Sequence, residues 1–237
     1  MPASQIREAA IIRRRVVLIE NSFYKRFRAE LKRFVDNQDV TAHQKAIEAI
    51  LLDLYRVAGE SSFRYLQDKF GKSLRKKIER KDMSQALTQL LANWAANAFE
   101  LSTTIAETSK DMIRQATAQM VADGIPEGEM AKLIQEFGDN MANWRARTIA
   151  RTESHAAVME SQYEIVQEMD LPEYLNEWAS GTDARTRQSH LDADGQQRKP
   201  NETFRVGNSD LRFPGDRNGE PEEVISCRCV LLQVFPE

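Results

Sequence analysis

A chain of 237 residues, 41% hydrophobic and 29% charged, has enough apolar side chains for a real core, which excludes disordered, collagen-like and mucin-like classes. Its formal net charge of −3 argues against a surface given over to nucleic acid, and no apolar run approaches the roughly 20 residues of a membrane span. Cys227 and Cys229 are too few for a disulfide framework and too close in sequence to bridge each other, so both are expected as thiols. Met1-Pro2-Ala3-Ser4 leads into a charged segment without a signal-peptide core, which predicts cytosolic synthesis.

Over residues 6–34, Val16, Ile19, Phe23, Phe27, Leu31 and Phe34 recur every three or four positions, the stripe of an amphipathic helix. Thr41 and Gln44 read as a capping box opening a second helix through Ala46, Ile50, Leu51, Leu54 and Val57. Gly59 reads as a break or kink, helical spacing resumes over 61–70, and Gly71 reads as a stop. Asp82 or Ser84 is expected to cap a longer core helix bearing Ala86, Leu90, Leu91, Trp94, Ala98, Leu101 and Ile105. A separate helix over 112–122 closes at Gly124, Pro126-Glu127-Gly128 turns the chain into a helical hairpin, and after Gly138 a helix is predicted over 140–169.

Beyond Pro172 the texture changes: Gly181, Gly195, Gly207, Gly215 and Gly219 crowd among Pro200, Pro214 and Pro221, which predicts short strands and loops. Residues 224–235 read as the clearest strand, with Ile225, Cys227 and Cys229 on one face and Ser226 and Arg228 on the other. The fold class expected is α+β, an elongated and mostly α-helical N-terminal part followed by a small C-terminal α+β domain with short antiparallel strands. The division expected is 1–107 for the helical N-terminal region, 108–170 for the helical start of a second domain and 171–237 for its α+β module.

Two basic groups stand out. Arg13-Arg14-Arg15, Lys25-Arg26, Arg28 and Lys32-Arg33 load the first helix, and Lys69, Lys72, Arg75, Lys76 and Lys77 lead a denser run to Lys81; solvated helix faces are the preferred reading, contact with a polyanion the other. Arg147, Arg151 and His155, four residues apart, read as a packing face with Arg151 tied to a C-terminal carboxylate, or else as a phosphate-contacting stripe. Trp94, Trp144 and Trp178 are assigned to core or interface. Asp183 is expected to cap a short helix that places Arg187 and His190 on one face, with architecture preferred to catalysis or metal binding. Cys227 and Cys229 read as small core hydrophobes; the alternative joins them to His190 and an acid (Asp183, Asp192 or Asp194) as zinc ligands. C-x-C is a weak metal signal, and no cofactor is expected.

Taken in order, these residues resemble the phage Mu F-like family of minor head proteins, also called the phage head morphogenesis domain family. The resemblance covers about residues 108–235. It is carried by Ala150-Arg151-Thr152-Glu153, a strand ending at Trp178, the stretch Thr182-Asp183-Ala184-Arg185-Thr186-Arg187-Gln188-Ser189-His190, Asp194-Gly195, Pro214-Gly215 and Ile225-Ser226-Cys227-Arg228-Cys229. Asp192 and Asp194 both precede Gly195 and leave the register of that turn open. The resemblance implies a minor capsid component of a phage or prophage, acting in head morphogenesis and associated with the portal protein or the packaged double-stranded DNA. Major capsid or scaffold proteins are the other candidate partners, no membrane is involved, and the site of action is the virion, at the head interior or portal vertex, after synthesis in the bacterial host cytoplasm. Arg151, Glu153, Trp178, Asp183, Arg185, Arg187, His190, Gly195, Pro214, Gly215, Ser226, Cys227 and Cys229 are then motif residues of a protein that is not an enzyme. Two other readings stand. One is a nuclease or hydrolase with His190 as general acid–base and Arg185 or Arg187 at a phosphate-like transition state, against which weighs the lack of a nucleophile motif or a GxxxxGK[ST] loop. The other is an internal DNA-binding accessory protein, whose affinity would fall steeply with salt.

Overall fold

The computed structural model describes residues 2–74, 80–169, 171, 173–181 and 183–235, with side chains throughout except at 71–74 and 80–87. Four long helices carry the chain first: α1 (Ala3–Asn37), α2 (Val40–Leu74), α3 (Arg80–Ala122) and α4 (Glu127–Glu168). At about 1.5 Å per residue each spans about 50 to 65 Å. α4 packs against all three others, most extensively against α1, and α2 lies against α3. The apolar stripe predicted for the first helix is the buried face of α1, from Ala9 and Ile12 to Phe34.

Several helix boundaries differ from the sequence reading, each for a local reason. Asp39 starts α2 by accepting the Ala42 N–H (2.9 Å), while Gln44 reaches Thr103 Oγ1 in α3 (2.8 Å), so no Thr41–Gln44 box forms. α2 continues through Gly59 and Gly71, because contact with α1, α3 and α4 outweighs a propensity cost of about 1 kcal/mol per glycine. α3 is one helix where two were expected, and it begins ahead of Asp82 and Ser84. Ser102, Thr103, Thr104, Thr108 and Ser109 each return their hydroxyl to a carbonyl three or four residues back, so their polar groups are satisfied within the helix. Gly124 closes α3 as predicted, with the Ile125 N–H donating to Met120 O (3.0 Å), and Pro126 precedes α4.

The remainder is built from β1 (Leu175–Ala179), α5 (Gln188–Asp192), β2 (Gln197–Arg198), β3 (Phe204–Val206), β4 (Ser209–Leu211), α6 (Pro221–Val224) and β5 (Val230–Val234). The sheet is antiparallel in the order β2-β1-β5 with Trp178 opposite Leu231, and β3 pairs β4 in a separate hairpin. The strand expected over 224–235 is confined to β5; residues 221–224 form α6, and 225–229 link the two. The fold class is α+β as read, long helices followed by a small antiparallel part. α3 passes through 107/108 unbroken, and one core cluster joins Ala9 and Ile12 of α1 to Leu231 and Leu232 of β5. Among the described residues no helix is long and apolar enough to cross a membrane.

Gly138, expected to precede a helix, lies inside α4 against α1. A Cβ there would overlap the Val35 side chain, which is buried and, as a β-branched residue, stiff about χ1. Overpacking of about 1–3 kcal/mol then exceeds the gain of about 0.5–1 kcal/mol from replacing a helical glycine. Gly138→Ala should therefore lower the thermal midpoint, and the same change in a Val35→Ala background, which removes the two nearest atoms, should lower it by much less; a stabilising Gly138→Ala in the wild-type chain would refute the close approach of α1 to α4.

Candidate functional site

The motif residues converge where the C-terminal module meets α1 and α4. Arg13, read as one of a solvated Arg-Arg-Arg run, turns inward and donates from its guanidinium to the carbonyls of Ser180 (2.6 Å) and Ala179 (3.3 Å). Those carbonyls end β1, where the ladder can no longer satisfy them. Ser180 N–H in turn donates to Asp194 Oδ1 (2.7 Å), and Gly195 N–H donates to Trp178 O (2.8 Å). This settles the open register: Asp194 is the acid of the turn, and Asp192 accepts from Gln188 instead. Trp178 is fully buried, edge-on to Phe204 at 5.5 Å and to His190 at 5.7 Å.

Asp183, Arg187 and His190 do not share the surface expected of them. Asp183 accepts both terminal nitrogens of Arg228 (2.8 Å for the longer contact) and is joined by Arg185 (3.1 Å). That arginine pair holds its carboxyl well below the ordinary carboxylate value. Arg187 stands just before α5, which Asp183 therefore does not cap, and donates to Ile225 O (2.6 Å). Ser226 takes a left-handed backbone (φ 57) uncommon for a side-chain-bearing residue, and its N–H donates to Thr152 Oγ1 of α4 (3.1 Å). The turn sends Cys227 and Cys229 inward, and both are buried, as is Arg228 in part; Ile225 is exposed, contrary to the expected face.

Cys227, Cys229 and His190 meet in the interior. His190 Nδ1 lies 3.2 Å from Cys229 Sγ and 3.7 Å from Cys227 Sγ, and its Nε2 lies 3.0 Å from Glu223 Oε2 in α6. Ser189 Oγ donates to the same Glu223 oxygen (2.7 Å). Cys227 and His190 hold Cys229 well below the ordinary thiol value, against the opposing effect of burial, whereas burial and then the Cys229 charge push Cys227 up. Burial alone would lower His190, but Cys229 outweighs it and its pKa is raised. A thiol, an imidazole and a carboxylate in line are also the parts of a nucleophile–base–orienter chain. Here Cys229 is 1% exposed and the crevice beside it, lined by Gly181, Thr186 and Ser226, measures about 20 Å³, room for a water; a larger cavity of about 280 Å³ reaches Cys227 and is lined by Arg13, Arg151 and His155, but not by His190 or Cys229.

The helix face Arg147–Arg151–His155 is also divided. Arg147 is exposed over the Tyr24 ring, Arg151 pairs with Glu20 of α1 (3.2 Å) and not with a C-terminal acid, and His155 is buried with its Nε2 donating to Cys229 O (2.6 Å). Burial lowers the pKa of His155. Glu153 meets Arg217 (2.7 Å) and the Tyr55 hydroxyl (3.2 Å), and Arg217 lies 5.2 Å over the Tyr55 ring, so this knot ties α2, α4 and the module together. Burial opposes the Arg217 charge, but Glu153 and Tyr55 outweigh it and raise its pKa. Pro214 and Gly215 are buried beside α4, and Gly215 adopts φ 81. Trp94 is in the core, but Trp144 is 48% exposed and is not a core residue.

Lys69 is not an open cation: it pairs with Glu8, which also accepts from the Tyr65 hydroxyl (2.8 Å), and donates to Gln233 O (3.3 Å). Lys72, Arg75, Lys76 and Lys77 lie outside the residues whose side chains are described. Sequence reasoning missed Glu223, Arg13, Arg217 and Asp216. Glu223, four residues before Cys227, was signalled only by Pro221 opening a helical turn, and Asp216 only by its place beside Pro214-Gly215; the buried Asp216 carboxylate accepts the Arg212 N–H (3.1 Å) and guanidinium Nε (2.9 Å).

The model of the family described as Phage Mu protein F like protein matches residues 111–232, just over half of the chain. The chain belongs to that family. Its family segment takes in the end of α3, all of α4 and the module through most of β5, including every residue of the His190 cluster. An uncharacterized protein of Haemophilus influenzae is 27% identical over 155 residues, which are 64% of this chain and 31% of that protein. The chain thus spans about a third of the length of this relative. No solved structure matches it.

Two stability measurements test these ties. Glu153→Gln leaves Arg217 facing Tyr55 without its carboxylate; because the Arg217 side chain keeps 27% exposure, the loss should be about 2 kcal/mol, less than the 3–5 of a fully buried broken pair. Arg217→Met added to that variant should recover part of the loss, and additive losses in the double variant would show that the two side chains do not interact. At Gly215 a Cβ would lie 2.6 Å from His155 Nδ1 on a left-handed backbone. Gly215→Ala should cost about 1–3 kcal/mol in denaturant unfolding, and a neutral result would contradict the packing of this loop on α4.

Proposed function

We propose that this chain is a structural, non-enzymatic minor head protein of a phage or prophage, acting in head morphogenesis in association with the portal protein. The family match over residues 111–232 is the observation that carries the reading. The fate of the motif charges supports it: Asp183 is matched to Arg228, Glu153 to Arg217, and Arg151 to Glu20. One of these pairs stiffens the module, one joins it to α4 and one joins α4 to α1, which suits a part that docks onto a larger assembly as a fixed body. The nuclease reading requires His190 to reach a substrate, whereas His190 is 2% exposed and both ring nitrogens have partners. The DNA-accessory reading is weakened by the inward Arg13 and the paired Lys69. On the proposed reading the protein acts in the virion, at the head interior or portal vertex, with major capsid or scaffold protein as the further candidates for contact.

The test is co-purification of the full chain with the portal, the major capsid protein and the DNA of its source phage at low and moderate salt. Retention by portal that survives moderate salt is expected. Retention by DNA alone, lost as salt rises, would overturn portal association in favour of the accessory reading.

A further inference from the structure

We infer that His190, Cys227 and Cys229 bind one Zn²⁺ ion, with a water from the Gly181–Thr186 crevice as its fourth ligand. The inference does not rest on the head-assembly reading, since it concerns three side chains and their surroundings alone.

The three donor atoms lie within 4.8 Å of one another and all three residues are buried. Tetrahedral zinc, with Zn–N of about 2.0–2.1 Å and Zn–S of about 2.3 Å, sets nitrogen and sulfur about 3.6 Å apart. The observed separations of 3.2 and 3.7 Å fall on either side of that value. The nitrogen–sulfur edges of the site are thus close to their zinc-bound lengths before any ion is added.

The surroundings match what a zinc-bound histidine needs. Glu223 accepts from Nε2, which fixes the ring with Nδ1 facing both sulfurs, and Ser189 holds the carboxylate in place. A carboxylate on the far nitrogen of a metal-binding histidine is the usual support of such a ligand. The acids considered from sequence as a fourth ligand are committed elsewhere: Asp183 to Arg228, Asp192 to Gln188 and Asp194 to the Ser180 N–H. What adjoins the cluster instead is a crevice of about 20 Å³, enough for one water. Thr186 Oγ1, which lines it, is buried and has no hydrogen-bond partner, so it supplies an acceptor for that water.

Charge also favours a divalent ion. Zn²⁺ bound by two thiolates and a neutral imidazole carries no net charge, which suits three ligands that are all buried. The ion would fasten α5 to the 225–229 segment, a link that otherwise depends on Arg187 reaching Ile225 O.

The test is the metal content of the full chain, purified without a polyhistidine tag or chelator, by plasma mass spectrometry. About one zinc per chain is expected. Replacement by Co²⁺ should give thiolate-to-cobalt charge-transfer absorption and visible bands of tetrahedral intensity. Cys227→Ser and Cys229→Ser should lose the ion, with helical circular dichroism reporting whether the bundle persists. Glu223→Gln, which leaves all three ligands in place, should weaken zinc by about tenfold in chelator competition. A folded wild-type chain that carries no zinc and gives no Co²⁺ spectrum would overturn the inference. So would zinc retained by both cysteine variants, or a Glu223→Gln affinity equal to wild type.

Discussion

The buried side of α4 is the constraint on which the rest of the molecule depends. Gly138, Ala142, Ala146, Ala150, Ser154 and Val158 follow at four-residue intervals and are all buried. Small side chains along such a row let neighbouring helices approach closely, and larger ones would move them outward. α1 depends on that approach at Val35, and its position in turn sets where Arg13 meets the end of β1. Within the next turns of α4, Thr152 accepts from Ser226, Glu153 pairs with Arg217, and His155 donates to Cys229 O. One helix register thus fixes three points of the C-terminal module.

That module could not hold itself. Its strands have two to five residues, and short antiparallel pieces need a packed face or polar ties to persist. The apolar contribution comes from Trp178, Phe204, Phe213 and Leu231, which belong to the same core cluster as α1 and α2. The polar contribution comes from charged groups set where backbone atoms would otherwise be unpaired: Arg13 on Ala179 and Ser180, Asp194 on Ser180, Asp216 on Arg212. The family segment is therefore not self-contained here, since α1 and α2 lie outside it yet supply part of its core and the Tyr55 and Arg13 contacts.

For a proposed role in head assembly this arrangement has a simple physical consequence. A module joined to a long helical body at several points moves with that body, so a partner engaged by one part senses the position of the other. A zinc ion at His190, Cys227 and Cys229 would add a tie between two pieces of irregular chain, where hydrogen bonds alone leave few constraints.

Composition and periodicity determined the class of this protein: a helical first part read from the stripe of α1 and the turn at Pro126, then a glycine- and proline-rich end with short strands. The rare residue types of that end, Trp178, His190 and the two cysteines, also identified the segment that carries the family. Helix boundaries were less legible, because Gly59 and the hydroxyl-rich stretch near Ser102 carry local costs of about 1 kcal/mol or less per residue that packing of the long helices outweighs. Beyond the grouping of His190 with Cys227 and Cys229, partnerships were not legible. Asp183 finds Arg228 45 residues away, His190 finds Glu223 33 residues away, and Arg13 finds Ser180 167 residues away. Spacing along a helix can place neighbours three or four positions apart, but which side chain completes a buried charge or an unpaired carbonyl is set by the packing of distant segments, and only the tertiary structure decides it.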